Sequence, residues 1–323
     1  MPENCQSKTF KTSIGGQALI EGLLMVGPEK RAMAVRLPDS QIHLEYLPQS
    51  SALPIEKIPF LRGSVKLFRQ MKVGIGALYR SADLAEEAEL RKTEEAAGGQ
   101  KEKKSFSERN PQLFYTLTTV LALVISVLVF VLLPNAAADL IRRTAKLPPR
   151  PSFGWQFLLN LIEGILRIFL FIGYMALTRR SRDLKRVWQY HGAEHKTISC
   201  YEARQELSVE NVRRFSRFHP RCGTSFLFQV MIVSIILFSL TGWHQTWINV
   251  LIRLLLIPLV AGISYEIIHW SGQSDHPLAH WLSKPGLSLQ RLTTAEPDDG
   301  MLEVAITALE AVLPEDQGVS DRW

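Results

Sequence analysis

The chain is poor in several features that usually reveal a protein's class. It has three cysteines, Cys5, Cys200 and Cys222, in 323 residues, too few for a scaffold built on disulfides. Its 20 Gly and 17 Pro follow no period, which excludes collagen-like and low-complexity proteins. No internal repeat is visible. Met1 to Lys30 lacks a basic start followed by an apolar run, so the N-terminus is expected to stay on the side of synthesis. Lys and Arg outnumber Asp and Glu by 37 to 31. No nucleic-acid-binding motif accompanies that basic charge, so nucleic acid is not an expected partner.

Long apolar runs, by contrast, are plentiful. The chain is 46% hydrophobic and 21% charged, with a mean hydropathy of +0.04, so its apolar residues must be concentrated. Four stretches hold them. Leu113 to Leu133 and Thr224 to Trp243 are uncharged. Trp155 to Leu177 contains Asn160, Glu163 and Arg167, and Ile248 to Trp270 contains Arg253, Glu266 and His269. A bilayer core takes roughly 20 apolar residues per helix, and soluble buried helices rarely run this long without a polar face. The expected fold is therefore mainly α, a polytopic helical membrane protein of about four spans. Residues 111–177 hold spans one and two, and 224–270 hold spans three and four.

Loop charge supplies the expected orientation. Arg179 to Arg221 carries eleven basic and five acidic residues, whereas the turn Trp243 to Trp247 has no Lys or Arg. The positive-inside rule then puts both termini and the central loop, residues 178–223, on the cytoplasmic side of the inner or plasma membrane. Arg142, Arg143, Lys146 and Arg150 in the first outer loop run against the rule and are read as an interfacial segment. The lipid bilayer is the first expected partner. Basic residues beside spans are drawn to anionic lipid by about 1 kcal/mol each.

Outside the spans, residues 1–60 read as a small β element. Met33, Val35 and Leu37 alternate with Ala34 and Arg36, Pro38-Asp39-Ser40 turns the chain, and Ile42, Leu44 and Tyr46 alternate with His43 and Glu45. That period of two predicts a hairpin. Upstream, Gly15-Gly16-Gln17 and Gly22 punctuate an apolar run containing Glu21, either a site carboxylate or a partner of Arg31 or Arg36. Residues 61–92 read as an amphipathic helix and 93–110 as a linker. In the tail, 271–323, Pro297-Asp298-Asp299 starts a helix with Leu302, Ile306, Leu309 and Leu313 on one face, and Pro314 stops it.

The central loop carries the chemistry. Leu184, Val187, Trp188, His191, His195 and Ile198 recur every three or four residues and share a helical face. Within that run, His191-Gly192-Ala193-Glu194-His195 is an H-x-x-E-H pattern. Histidines four apart can present both rings to one metal ion, and an adjacent carboxylate can orient or deprotonate water. The plainer reading is two half-buried histidines bonded to neighbours such as Glu202. His219-Pro220-Arg221-Cys222 adds a His and a Cys before the third span, where a helix N-terminus favours thiolate. In a reducing cytoplasm Cys200 and Cys222 are ligands, reactive thiols or plain buried thiols. Glu266 and His269 either supply a third ligand or hydrogen-bond between helices. His276 and His280 form a second pair whose helix Pro277 disturbs. Glu163 and Arg167, four apart, are expected to pair. Either one alone at mid-bilayer costs about 2.5–3.5 kcal/mol.

Four segments together resemble the YqhQ-like family of bacterial membrane proteins. They are Gly15 to Gly22 (GGQALIEG), His191 to Glu202 (HGAEHKTISCYE), His219 to Phe226 (HPRCGTSF) and Pro285 to Asp299 (PGLSLQRLTTAEPDD). The resemblance runs from about residue 13 to 312. It implies a membrane location and a predicted metal-dependent enzyme, and it carries no substrate. Its histidine motif falls on His191, Glu194 and His195, and its second motif on His219 and Cys222.

Three functions follow as expectations. The first is a metal-dependent hydrolase acting on a peptide or membrane protein. His191 and His195 would bind a divalent metal, zinc by preference, with Glu194 as general base and His219, Cys222 or Glu266 as third ligand. The second is a structural metal site closed by His191, His195, His219 and Cys222. The third is a transporter or scaffold with a polar path along Glu163, Arg167, Arg253 and Glu266. Four spans would then need a homo-oligomer.

Overall fold

A computed structural model describes residues 10–49, 53–96, 110–148, 151–274 and 276–314. Most of the expected linker at 93–110 lies outside them. The N-terminal segment forms four antiparallel strands, β1 (Gly15–Leu19), β2 (Gly22–Val26), β3 (Arg31–Arg36) and β4 (Ile42–Leu47), paired in sequence order. The predicted hairpin is β3–β4, with Met33 opposite Glu45 and Val35 opposite His43. β1 and β2 grow from the glycine-punctuated run, joined by a tight turn at Glu21, whose φ is 51°. Their sequence barely alternates because both faces of the sheet are covered. Leu23, Met25, Ala32 and Ala34 face one core, while Leu19, Leu24, Met33 and Val35 face another.

Ten helices follow among the described residues. α1 (Leu61–Ala96) closes the second core with Ala77 and Leu84. α2 (Pro111–Val127) continues through a π-helical turn at Leu128–Leu132 into α3 (Leu133–Thr144). α4 (Phe153–Thr178), α7 (Gly223–Leu240) and α8 (Thr246–Gln273) are the other long apolar helices. Four helices are thus long and apolar enough to cross a bilayer, Gln112–Thr144, Phe153–Thr178, Gly223–Leu240 and Thr246–Gln273. The first is longer than its apolar run because the wide π turn admits Pro134 without ending the helix. Near its end Asp139 binds Arg142 and Arg143, each at 2.8 Å, which offsets part of the basic charge read as interfacial.

The remaining elements form a polar module beside this bundle. α5 (Arg182–Glu202) and α10 (Asp299–Glu310) cover the first face of the sheet, and the short α6 (Val209–Arg213) packs against both helices. Tyr190, Ala193 and Ile198 of α5 interlock there with Met301, Leu302 and Leu309 of α10. Each such leucine contributes about 1.5–3 kcal/mol by leaving water. α10 is the predicted tail helix. Asp298 caps it by accepting from the Met301 N–H at 2.9 Å, and Leu302, Ile306 and Leu309 are buried as expected.

Two local expectations are corrected. α9 (Pro277–Thr293) is a helix that the tail reading did not contain. Pro277 starts it rather than disturbing it, because the first turn needs no N–H from that position. His276 caps it through Nδ1, which accepts from Leu278, and both His276 and His280 are exposed. Glu21 pairs with Arg186 at the start of α5, not with Arg31 or Arg36. Its turn projects toward α5, while Arg36 reaches Glu303 and the Gly300 carbonyl.

Candidate functional site

α5 is polar in sequence yet buried over Tyr190–Thr197, because the sheet, α9 and α10 enclose it. Gly192 makes this possible. A Cβ there would collide with the Ala295 carbonyl carbon and oxygen, where the chain leaving α9 donates the Ala295 N–H to the Trp188 carbonyl at 2.8 Å. The H-x-x-E-H segment therefore has its histidines directed into the interior.

Each of its two histidines is fixed from behind by a main-chain carbonyl. His191 Nδ1 lies 2.7 Å from the Thr293 oxygen, and His195 Nδ1 lies 2.6 Å from the Arg217 oxygen. A carbonyl can only accept, so both rings carry their proton on Nδ1 and turn Nε2 the other way. His191 Nε2 then lies 3.1 Å from Cys222 Sγ. One ligand atom from each of His191, His195 and Cys222 falls within 4.8 Å of the others, and all three residues are buried. The imidazole centroids are 4.4 Å apart. A ligating histidine commonly has its second nitrogen held by a carbonyl or carboxylate, which sets tautomer and ring angle. The donor set fits a divalent cation such as zinc on that ground.

Cys222 sits at the N-cap of α7, where its sulfur accepts from the Thr224 N–H at 3.4 Å. Burial pushes its thiol up, but the charges of His191 and His195 outweigh burial and hold it well below the ordinary thiol range. Burial likewise opposes charge on His191. The Cys222 sulfur and the Glu194 carboxylate prevail and raise it to about 9. Burial raises Glu194 above the usual carboxylate range against the pull of both histidines. Glu194 accepts the Gly16 N–H of β1 at 2.9 Å. A Cβ at Gly16 would stand 2.6 Å from the Leu24 oxygen and 3.1 Å from the Glu194 carboxyl carbon, so strand and carboxylate touch only because that residue is glycine.

His219 occupies a neighbouring layer. Its ring centroid is 5.7 Å from that of His195, and its Nε2 is 3.4 Å from Glu202, which also binds Arg221 and the Thr12 N–H. Burial keeps His219 below the ordinary imidazole range. Gln290 of α9 brackets the His219 backbone, accepting its N–H at 2.8 Å and donating to its carbonyl at 2.7 Å. Glu266 is not brought to the histidines. It lies on α8, where Arg62 and the Phe60 N–H hold its carboxylate, so the tie it makes is between α1 and α8. Cys200 is also apart from the cluster, in the first core, where burial pushes its thiol up to about 11.

Of the six predicted residues, the structure thus gathers His191, His195 and Cys222, sets Glu194 beside them, and places His219 one layer out and Glu266 elsewhere. Sequence reading missed Gly16, Gln290 and the carbonyls of Thr293 and Arg217. The carbonyls leave no residue-type signal. Gly16 and Gln290 lay within the segments GGQALIEG and PGLSLQRLTTAEPDD, which marked where to look without saying why.

A second buried polar cluster lies in the bundle. Glu163 pairs with Arg167 at 2.7 Å, as expected from their spacing, and also with Arg253 of α8. Asn135 donates to Glu163 at 3.3 Å, and Arg253 donates to Asn160 at 3.2 Å.

Comparison with known proteins adds a family. The model of a family described as "Protein of unknown function (DUF1385)" matches residues 58–315. The uncharacterized protein YqhQ of Bacillus subtilis (strain 168) is 36% identical over 303 residues, covering 93% of this chain and 92% of that relative. No solved structure matches.

Proposed function

The chain belongs to the DUF1385 family, and we propose that it is a membrane-embedded metal-dependent hydrolase. His191, His195 and Cys222 hold a divalent cation, zinc by preference for this donor set. The observation that carries this reading is that two imidazoles, each locked by a carbonyl behind it, converge with the Cys222 sulfur so that one ligand atom of each lies within 4.8 Å of the others. Two imidazoles and a thiolate would leave zinc one position for water. Bound zinc supplies Lewis acidity and lowers the pKa of water that it binds.

The chain's own groups handle the proton and the substrate. Glu194, raised by burial and aimed by the Gly16 N–H, takes a proton from the attacking water and returns it to the leaving group. Glu202 and Arg221 fix His219 against the back of His195. The substrate is a peptide or a membrane-protein segment reaching the membrane surface on the side of the polar module, and loop charge makes that the cytoplasmic side. Elemental analysis of detergent-purified protein should find about one zinc per chain in the wild type and almost none in His191→Ala. Glu194→Gln should keep its zinc and lose turnover. Full zinc in His191→Ala would end this reading.

A structural site is the second reading, favoured by the burial of every donor and the position of His219 beside His195. X-ray absorption that finds four protein ligands and no water would support it over the hydrolase.

A further inference from the structure

The polar cluster in the bundle does not balance its charge. Glu163 is its one acid and is 2% exposed, whereas Arg167 and Arg253 bring two guanidiniums. Arg253 is 4% exposed, and its Nη1 has no hydrogen-bond partner among the described residues. Asn135 leaves Oδ1 unpaired nearby, but a neutral amide cannot cancel a charge. Arg253 lies seven residues into α8, about 10 Å along its axis from the end away from the polar module. Arg253 shares Glu163 with Arg167 and lies over the rings of Phe238 and Trp243, so the cluster keeps one positive charge in excess at a depth where an anion would be the favourable partner.

A cavity of about 250 Å³, walled by α1, the π turn, α4, α7 and α8, has both guanidiniums in its lining. Apart from Arg167, Arg253 and Ser234 it is lined by apolar side chains. Leu227, Leu254 and Ile257 on its rim are exposed on the apolar surface of the bundle. An anion arriving here must therefore be soluble in hydrocarbon, because a hydrated ion would have to cross the bilayer core. We infer that this groove binds an anionic lipid, its acidic head group met by Arg253 and Arg167 and its chain laid against Phe226, Val230 and Ile257. The inference is independent of the metal site, which lies in the polar module.

Single-chain probes test it on the full-length protein in a non-ionic detergent. Dodecyl phosphate should bind roughly tenfold or more tightly than dodecylphosphocholine, which has the same chain and no net charge. Inorganic phosphate at equal concentration should have no effect. Arg253→Gln should weaken dodecyl phosphate binding and Glu163→Gln should strengthen it, although both break the same Glu163–Arg253 ion pair. Val230→Trp fills the groove, leaves the charges alone, and should abolish binding. Equal binding of the two probes, an effect of inorganic phosphate alone, a change in the same direction for both charge variants, or unchanged binding in Val230→Trp would each overturn the inference.

Discussion

The two buried polar clusters are wired in opposite ways. In the bundle each charged group faces a group of opposite sign, so Glu163 ties α4 to α8 while Arg167 reaches the Phe130 carbonyl at 2.9 Å. In the polar module, the Nε2 side of His191 meets the Cys222 sulfur at 3.1 Å, and both imidazoles are anchored from behind by the carbonyls of Thr293 and Arg217. The first arrangement pairs opposite charges directly and is left with one guanidinium in excess. The second gathers two imidazoles and a cysteine sulfur at one point, a donor set that a divalent cation would suit. What sets the two apart is donor chemistry: carboxylate against guanidinium in the bundle, two imidazoles and a thiol in the module.

Breaking that contrast should hurt the bundle most. Glu163→Ala leaves two guanidiniums without a counter-charge and should lower stability by about 3–5 kcal/mol, measured as the fall in unfolding midpoint in detergent. Next comes Cys222→Ser, which should weaken zinc at least about a hundredfold in a chelator competition, equivalent to about 2.7 kcal/mol. The fold should remain, because the sheet and α10 supply the module's core. Gln290→Ala acts at one remove, by freeing the His219 backbone three residues before Cys222. It should weaken zinc by about tenfold, while Gln290→Glu, which keeps an acceptor for the His219 N–H, should recover part of that loss. The smallest effect belongs to Arg186→Ala. Its pair with Glu21 is 46% and 29% exposed, so it should change stability by about 0.2–1 kcal/mol, less in high salt.

Much of the bundle was legible because a bilayer demands length and apolarity, and both are written residue by residue. Trp155 to Leu177 and Ile248 to Trp270 appear as Phe153–Thr178 and Thr246–Gln273. The pairing of Glu163 with Arg167 was legible from helical spacing, whereas Arg253 as its second partner depended on how α4 and α8 pack. The histidine face was legible for the same reason of period. α9 was not, since Pro277 read as a disturbance until it is seen to start the helix, which also holds Pro285 inside it. β1 and β2 hid because a sheet covered on both faces loses the alternation that reveals strands. Glu266 drew attention as a carboxylate near the inner end of a span, and no sequence pattern could show that Arg62 had claimed it.

The main-chain carbonyl of Thr293 that locks His191 is contributed long after α5 has been made. A nascent chain can place its early spans while His191 still turns freely, so the proposed cation centre would be among the last parts to mature. Loading with metal would then mark completed synthesis, and a product stalled before α9 would leave the ribosome with an unset imidazole and no means of retaining the ion.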